Sequence, residues 1–285
     1  MARPSTLERL VSLIRETSSS LPEDVLSALR TAARREARGS SAAVVLRTIL
    51  DNCALAHEKG VPLCQDTGTL TFFVDTRLRR RVTPSLLQQA VARATELGYL
   101  RKNTIDALSG RSCDDNCAVG APVIHYEEEG DGSTPRRVTL LLKGGGSENM
   151  SRQYSLPDST LGAGRDLAGV RACVLDAVQK IQGYGCAPGI LGVCVGGDRA
   201  TGFEVAKRQL LRPLDEKEGR RDAVVSRLEK SLLRDANRLG IGPMGLGGKT
   251  TLLGVKVAAR TRVPASFFVT IAYLCWACRR RTMEF

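Results

Sequence analysis

The chain is poor in histidine and in aromatic residues. It has two histidines, His57 and His125, and aromatic residues make up 4% of its 285 residues. Two isolated histidines make a histidine-rich metal site or a Ser-His-Asp triad hard to build. So few aromatic rings also leave no visible platform for stacking nucleic-acid bases. Any catalytic chemistry therefore has to come from other side chains.

Long apolar runs are missing as well. No stretch of about 18 apolar residues occurs, which predicts no transmembrane helix. The opening residues Met1-Ala2-Arg3-Pro4-Ser5 lead into an amphipathic stretch rather than an apolar one, so we expect no secretory signal. We therefore expect a cytoplasmic location, where thiols stay reduced and cysteine clusters usually serve metals or catalysis.

Positive charge is in excess, with a formal net charge of +12. The basic residues are dispersed in short groups around residues 34–38, 77–81, 220–221 and 279–281. Dispersed groups favour a solvated basic surface over a nucleic-acid groove. A small anionic substrate or an acidic partner chain fits equally well. A basic, metal-stabilised nucleic-acid-binding protein is the alternative from a different functional class.

The apolar periodicity predicts helices and strands that do not alternate regularly. Helices are predicted over residues 6–18, 22–36, 41–59, 84–99, 167–182, 200–208 and 218–238. Strands are predicted over residues 71–75, 122–126, 138–142, 190–195, 251–258 and 266–274. The strands at 122–126 and 138–142 are predicted to pair across an acidic turn at 127–132, with loops over 102–120, 144–149 and 240–249. This order favours an α+β fold, a single large mixed helix–sheet domain over residues 1–285, rather than a doubly wound sheet.

Three of the nine cysteines lie in polar or glycine-rich surroundings. Cys64 is followed by Gln65, Asp66 and a Thr-Gly-Thr turn, while Cys186 and Cys275 lie in similarly unusual segments. A thiol close to a carboxylate suits a metal ligand with an acid or base beside it better than it suits a core position. Three thiolates converging on one point can hold a cluster and leave one metal position open for substrate.

The remaining cysteines permit other interpretations. Cys173 and Cys194 lie in apolar patterns and are predicted to be inert core thiols. Cys113 and Cys117, together with Cys275 and Cys278, provide four ligands for a possible zinc site. A radical-enzyme cluster motif is excluded, because the third cysteine that it needs is replaced by Gly120.

Two glycine-rich segments raise the question of anion binding. Gly247-Gly248-Lys249-Thr250 resembles the end of a phosphate loop, but Pro243 stands where that loop needs a glycine. ATP binding is therefore not expected there, and the 240–248 loop is predicted to let backbone pass close to a ligand or another segment. The bare amides of Gly144, Gly145 and Gly146 can bind a carboxylate or phosphate, or form a simple turn.

Several segments, taken in order, resemble the α subunit of the two-subunit class I fumarate hydratases and tartrate dehydratases. The resemblance covers nearly the whole chain. The matching segments are Cys64-Gln65-Asp66-Thr67-Gly68, Leu100-Arg101, Lys143-Gly144-Gly145-Gly146-Ser147-Glu148-Asn149, Cys186 to Gly197, Ile241 to Gly245 with Gly247, and Cys275-Trp276-Ala277 before Arg279-Arg280.

This resemblance implies a 4Fe-4S cluster held by Cys64, Cys186 and Cys275, with one iron left open as a Lewis acid for a hydroxy dicarboxylate. It implies that Asp66 is the acid next to the cluster. It also implies substrate contacts from Gln65, from Arg101 and from the Gly144, Gly145 and Gly146 backbone. The implied reaction is the reversible dehydration of malate to fumarate, with tartrate dehydration as the alternative. An electron-transfer protein normally supplies four cysteines per cluster, which disfavours that class here.

The resemblance also implies a partner. In the family the base that removes the C3 proton comes from the other half of the enzyme, so we expect this chain to be inactive without a β subunit and to form an α2β2 assembly with it. One departure concerns a histidine that family members commonly carry twelve residues before the third cysteine. Val263 occupies this position, before Pro264. If the histidine assists substrate binding, its absence favours an altered substrate or a weaker enzyme.

Overall fold

The computed structural model describes residues 4–128, 134–216 and 222–285. The helices are α1 (Thr6–Ser19), α2 (Glu23–Arg35), α3 (Ser41–Lys59), α4 (Pro84–Glu96), α5 (Gly145–Asn149), α6 (Leu167–Ile181), α7 (Arg199–Gln209) and α8 (Ala223–Asn237). The strands are β1 (Thr69–Asp75), β2 (Val123–Glu127), β3 (Arg137–Lys143), β4 (Arg152–Ser155), β5 (Gly189–Val195), β6 (Leu252–Ala259), β7 (Phe268–Leu274) and β8 (Arg279–Glu284). The predicted α+β class is confirmed.

Two compact units make up the chain. The first unit comprises Met1–Pro22, Asp51–Gly145 and Ala277–Phe285, and the second comprises Glu23–Leu50 and Gly146–Trp276. Both units are assembled from segments that are distant in sequence. The assignment of residues 1–285 to one catalytic domain stays a prediction.

The first unit is built on a four-stranded sheet in the order β2-β1-β3-β8. Strand β1 pairs in parallel with β2 and antiparallel with β3, which in turn pairs antiparallel with β8. Apolar side chains from α1, α4 and the sheet form its core, including Leu13, Phe72, Leu87 and Leu140. The N-terminus of α1 is fixed by a capping box between Ser5 and Glu8, which satisfies backbone N–H groups that a helix start leaves without partners.

The second unit contains a four-stranded sheet in the order β4-β7-β5-β6. Strand β5 is parallel to β6 and antiparallel to β7, and β4 is antiparallel to β7. Strand β5 is buried almost throughout, consistent with its central apolar run. Its core is formed mainly by α6, α8 and the sheet, with Val174, Leu191, Leu232 and Ile271 among the buried residues.

Three sequence predictions about local structure were wrong. Strands β2 and β3 do not pair with each other, because β1, buried from Leu70 to Asp75, takes the position between them. The predicted 144–149 loop contains the one-turn helix α5, and strands β4 and β8 were not predicted. Much of the acidic turn at 127–132, and the beginning of the helix predicted at 218, lie outside the described residues. No helix in the described ranges has both the length and the apolar character needed to cross a bilayer.

Candidate functional site

In the first unit, Asp66 lies in a turn that glycine residues hold against the end of β3. Gly68 has a φ of +77°, and a Cβ at this position would lie 2.6 Å from the carbonyl oxygen of Lys143. A Cβ on Gly144 would lie 2.8 Å from Asp66 Oδ2. Only residues without side chains allow these segments to approach so closely. Asp66 and the Gly144 loop, which the family resemblance implied as site residues, are therefore close together in space.

Asn103 fixes the Asp66 carboxylate. Its Nδ2 donates a hydrogen bond to Asp66 Oδ1 at 3.2 Å. Asn103 is itself positioned by the buried Asn116, whose Oδ1 accepts the backbone N–H groups of Asn103 and Thr104 at 2.9 and 3.0 Å. The Asn116 Nδ2 donates to the carbonyl oxygen of Arg101 at 2.8 Å. Because both the oxygen and the nitrogen of the Asn116 side-chain amide form hydrogen bonds to this segment, the backbone from Arg101 to Thr104 is held in place.

A cavity of about 650 Å³ opens beside Asp66. Its walls include Asp66, Gly68, Asn103, Cys113 and Gly145. The volume falls in the range of ordinary small-molecule sites and is ample for a four-carbon dicarboxylate. The side chains of Gln65 and Arg101 are exposed. The first unit therefore offers a cavity that has the Asp66 carboxylate, held by Asn103, in its wall, together with a second carboxylate from Asp106.

In the second unit, Cys186 and Cys275 lie on segments that contact each other. The backbone N–H of Trp276 donates to the carbonyl oxygen of Cys186 at 3.3 Å. The N–H of Cys275 donates to Ser147 Oγ at 3.2 Å, next to Gly146. Both thiols are half-buried. The structure therefore brings together two of the three predicted cluster ligands within one unit.

The predicted close passage of backbone at residues 240–248 is present, and the loop packs against the Cys186 segment. The N–H of Met244 donates to the carbonyl oxygen of Ala187 at 2.9 Å. A Cβ on Gly183 would lie 2.6 Å from the carbonyl oxygen of Met244. The loop therefore supports the Cys186 turn.

Left-handed backbone conformation occurs at four non-glycine residues of the described chain, namely Asn116, Gln182, Cys186 and Met244. This conformation is uncommon outside glycine and persists where surrounding structure enforces it. Asn116 holds the Asp66 region, and the other three lie in the two loops around Cys186. Backbone strain is thus concentrated at the two places that carry the predicted functional residues.

A tyrosine lies against the Cys186 turn. A Cβ on Gly185 would lie 2.6 Å from the Tyr273 ring, and a Cβ on Gly189 would lie 2.3 Å from its hydroxyl oxygen. Burial raises the pKa of the Tyr273 phenol well above its ordinary value, and the neighbouring Cys275 and Cys186 thiols raise it further. Tyr273 is therefore close to both cysteines of this unit.

The core cysteines behave as predicted. Cys173 and Cys194 are fully buried. Burial raises the pKa of the Cys173 thiol to about 11, so it stays protonated near neutral pH. All nine cysteines lie in the described residues, and none of them forms a disulfide. Two classes of thiol are thus present: buried ones such as these, and half-buried ones that include Cys64, Cys186 and Cys275.

The alternative zinc site has no support within either unit. Among the described residues, no three His, Cys, Asp or Glu side chains are grouped so that they could hold one metal ion. A zinc ion needs its ligands around a single centre, and Cys275 belongs to a different unit from Cys113, Cys117 and Cys278. A 4Fe-4S cluster has a different requirement, because each cysteine binds a different iron.

Two features of the second unit are compatible with the binding of a 4Fe-4S cluster. Cys186 and Cys275 are on contacting segments, and the buried Tyr273 hydroxyl, which has no hydrogen-bond partner among the described residues, lies near them. Cys64 belongs to the first unit, two residues before Asp66. Its membership of a common ligand set stays a prediction.

Val263 lies at the far end of β7 from Cys275. Strand β7 has seven residues, and at about 3.3 Å per residue it spans roughly 23 Å. Val263 precedes the strand, is exposed, and lines a different cavity. Cys275 directly follows the strand. Within one chain, a side chain at position 263 therefore does not reach either cysteine of the second unit.

Sequence reasoning missed Asn103, Asn116, Ser147 and Tyr273. The two asparagines and the serine have no sequence signal, because their roles arise from hydrogen bonds to residues identified by other criteria. Tyr273 did have a signal. It stands two residues before Cys275 at the end of an extended strand, and alternation places such residues on one face.

With the fold and these sites described, the sequence comparisons show that the chain belongs to the fumarate hydratase (fumerase) family. The sequence model of that family matches residues 7–284. A protein of Geobacillus stearothermophilus, provisionally named fumarate hydratase class I, is 46% identical over 279 residues. The alignment covers 96% of this chain but 53% of that protein, so the chain spans about half the length of this relative.

Two further relatives are similar over most of their own lengths. A Methanocaldococcus jannaschii protein, provisionally named L(+)-tartrate dehydratase subunit alpha, is 35% identical over 280 residues, covering 95% of this chain and 94% of that protein. The L(+)-tartrate dehydratase subunit alpha of Escherichia coli K12 is 29% identical over 269 residues, covering 93% and 86% respectively.

Proposed function

We propose that this chain is the α-type part of a hydro-lyase that reversibly dehydrates a small 2-hydroxy dicarboxylate, with malate to fumarate as the main reaction. The observation that carries the proposal is the Asp66 carboxylate. It lies two residues from Cys64, is held by Asn103, and lines a cavity that is large enough for such a substrate. Family membership supports the same class of reaction.

The cofactor that we propose is a 4Fe-4S cluster bound by Cys64, Cys186 and Cys275. When bound, it supplies an iron with no protein ligand, which acts as a Lewis acid toward the substrate. The half-buried thiols suit this use, because a ligand thiolate must reach the cluster while remaining shielded from bulk water.

The side chains of this chain have distinct proposed roles. Asp66 is the acid or base that exchanges a proton with the hydroxyl or water leaving C2, and Asn103 keeps its carboxylate in place. Arg101 pairs with a substrate carboxylate through the two-pronged geometry of its guanidinium group, with Gln65 adding a hydrogen bond. The backbone of Gly144, Gly145 and Gly146 adds substrate contacts, and Gly145 and Gly146 in this segment are exposed.

The base that removes the C3 proton is proposed to lie on a β-type partner. About half of the Geobacillus relative lies outside the aligned region, and the archaeal and Escherichia coli relatives are named as alpha subunits. Beside the Asp66 cavity, Ile105, Leu108 and Val119 are exposed by 60%, 99% and 107% of their full area. An apolar surface of this kind is typical of a docking site. We propose that the partner covers it, in an α2β2 assembly.

A cytoplasmic location is proposed on the basis of the thiols. Nine cysteines without any disulfide are expected in a reducing compartment, where an exposed iron is also better protected from oxidants.

The test is a substrate assay on the anaerobically purified complex of this chain with its β-type partner. Malate, fumarate and both enantiomers of tartrate are compared, with an absorbance spectrum of the cluster taken on the same sample. Hydration of fumarate, with tartrate turned over much more slowly, supports the main proposal. Turnover of tartrate alone establishes the second candidate, which the near-full-length match to tartrate dehydratase alpha subunits favours. A cluster-loaded complex that acts on none of these substrates contradicts both.

A further inference from the structure

Tyr273 is a buried hydroxyl without a hydrogen bond. The side chain is 1% exposed, and its hydroxyl oxygen has no partner among the described residues. Buried polar groups in folded proteins are nearly always paired, and an unpaired one indicates strain, a functional role or a partner that binds later. Nothing in the family assignment or in the proposed function accounts for this hydroxyl.

The surroundings of Tyr273 are shaped to hold its ring at one place. Gly185 and Gly189, on either side of Cys186, leave the space that the ring and its hydroxyl occupy. A methyl group on either glycine would come within 2.6 Å of tyrosine atoms. On its own strand, Tyr273 is two residues before Cys275, and its N–H donates to Ser151 Oγ at 3.3 Å. The phenol is therefore fixed between the two cysteine-bearing segments of the second unit.

A hydroxyl in this position is a hydrogen-bond donor close to the two cysteines and to any cluster that they bind. Sulfur atoms of an iron–sulfur cluster and of its cysteine ligands carry negative charge and accept hydrogen bonds. Such hydrogen bonds favour the reduced, more negative form of a cluster, and so raise its reduction potential. Aliphatic neighbours alone would not require a tyrosine, since phenylalanine fills almost the same volume.

We propose that Tyr273 is a positioning residue that donates its hydroxyl hydrogen bond to a sulfur of the cluster, or to the Cys186 or Cys275 ligand, and thereby sets the reduction potential of the bound cluster. This inference rests on the proposed function, because it requires a cluster at these two cysteines. Its role is separate from substrate chemistry, since Tyr273 acts through the cluster.

The test is Tyr273→Phe, which keeps the ring and removes only the hydroxyl. The matched control is Tyr154→Phe on the neighbouring strand β4, where the hydroxyl donates instead to Asp176 Oδ2 at 2.7 Å. Both variants and the parent chain are reconstituted anaerobically with iron and sulfide, and circular dichroism checks their folding. The midpoint potential is measured by redox titration followed by electron paramagnetic resonance.

We expect Tyr273→Phe to make cluster reduction about tenfold less favourable, which corresponds to a potential lower by about 59 mV for one electron. Tyr154→Phe should leave it unchanged. In the parent protein exchanged into D₂O, electron–nuclear double resonance should detect a deuteron coupled to the cluster, and Tyr273→Phe should lose that signal. Equal potentials and equal deuteron signals in Tyr273→Phe and the parent overturn the inference while leaving the proposed function intact. Failure of the folded parent to bind any cluster overturns both.

Discussion

Replacing Gly144 with alanine tests whether Asp66 depends on the glycine loop for its position. The new Cβ would lie 2.8 Å from Asp66 Oδ2 and 3.2 Å from its Cγ. The first distance is about 0.6 Å shorter than the 3.4 Å at which ordinary contact begins. Something must move, and the carboxylate is the mobile partner because it belongs to a side chain that is held by a hydrogen bond from Asn103 rather than to the backbone.

The expected magnitudes differ for activity and for stability. A displacement of up to 1 Å at a catalytic group reduces rates by about 10²-fold, so we expect kcat of the cluster-loaded complex to fall by about that factor. The overpacking is relieved by side-chain movement, so we expect the free energy of unfolding to fall by only about 1 kcal/mol.

The assay combines fumarate hydration kinetics with denaturant unfolding of the same samples. Gly164→Ala is the control, because a Cβ there meets nothing closer than 3.4 Å, and the glycine is exposed in the second unit. If the effect operates through Asp66, the stability loss caused by Gly144→Ala should disappear in an Asp66→Ala background, where the contacting carboxylate is absent. Full activity in Gly144→Ala would refute the proposed coupling between the glycine loop and Asp66.

Three further predictions concern other parts of the chain. Asp66→Asn should lower kcat by about 10²-fold or more with near-normal iron content, because it removes a positioned acid or base; unchanged kcat would make Asp66 a structural turn residue. Leu108→Ser should weaken the affinity for the β-type partner, measured by calorimetry, whereas Val44→Ser, at an exposed site on α3, should not. Equal affinity of the two variants would contradict the proposal that the partner covers the surface around Leu108. The hydrogen bond from Arg77 lowers the pKa of the buried Asp75 in the folded protein. The ionised Asp75 therefore contributes stability above the pKa of an unfolded aspartate, about 3.9, and this contribution is lost as the pH falls through the lower pKa of the folded state. The free energy of unfolding of Asp75→Asn should therefore be about 1–3 kcal/mol lower than that of the parent at pH 7, and it should fall less between pH 5 and pH 2. Parallel profiles of unfolding free energy against pH would contradict this.

Sequence patterns identified most elements but not all of their pairings. The apolar periodicity of α1 and α6 predicted their bounds to within about one residue, because each helix buries one apolar face. Strand β8 carries three consecutive arginines and has no apolar alternation, so only its backbone pairing with β3 reveals it. The separation of β2 and β3 by β1 depends on long-range pairing, which local sequence does not encode.

Some residues of the candidate site could be predicted from local sequence, and others could not. Cys64, Asp66 and Cys186 were predicted as site residues because a thiol or carboxylate in a glycine-containing turn is unusual enough to be recognised locally. Cys275 was predicted because its segment is similarly unusual and matches the family. Asn103 could not be found by this route, since its significance comes from one hydrogen bond to a residue 37 positions away. Supporting residues of this kind become visible only when the fold brings their partners together.

The central claim, a 4Fe-4S cluster bound by three particular cysteines, is tested most directly by iron and sulfide analysis after anaerobic reconstitution. Parent protein is compared with Cys64→Ser, Cys186→Ser and Cys275→Ser, and with Cys173→Ser as a buried control. We predict about four iron and four sulfide per parent chain, a similar content in the control, and loss of the cluster in each of the three ligand variants. Normal iron and sulfide content in any one of those three variants would contradict the claim for that cysteine, and a parent chain that binds none would contradict it entirely.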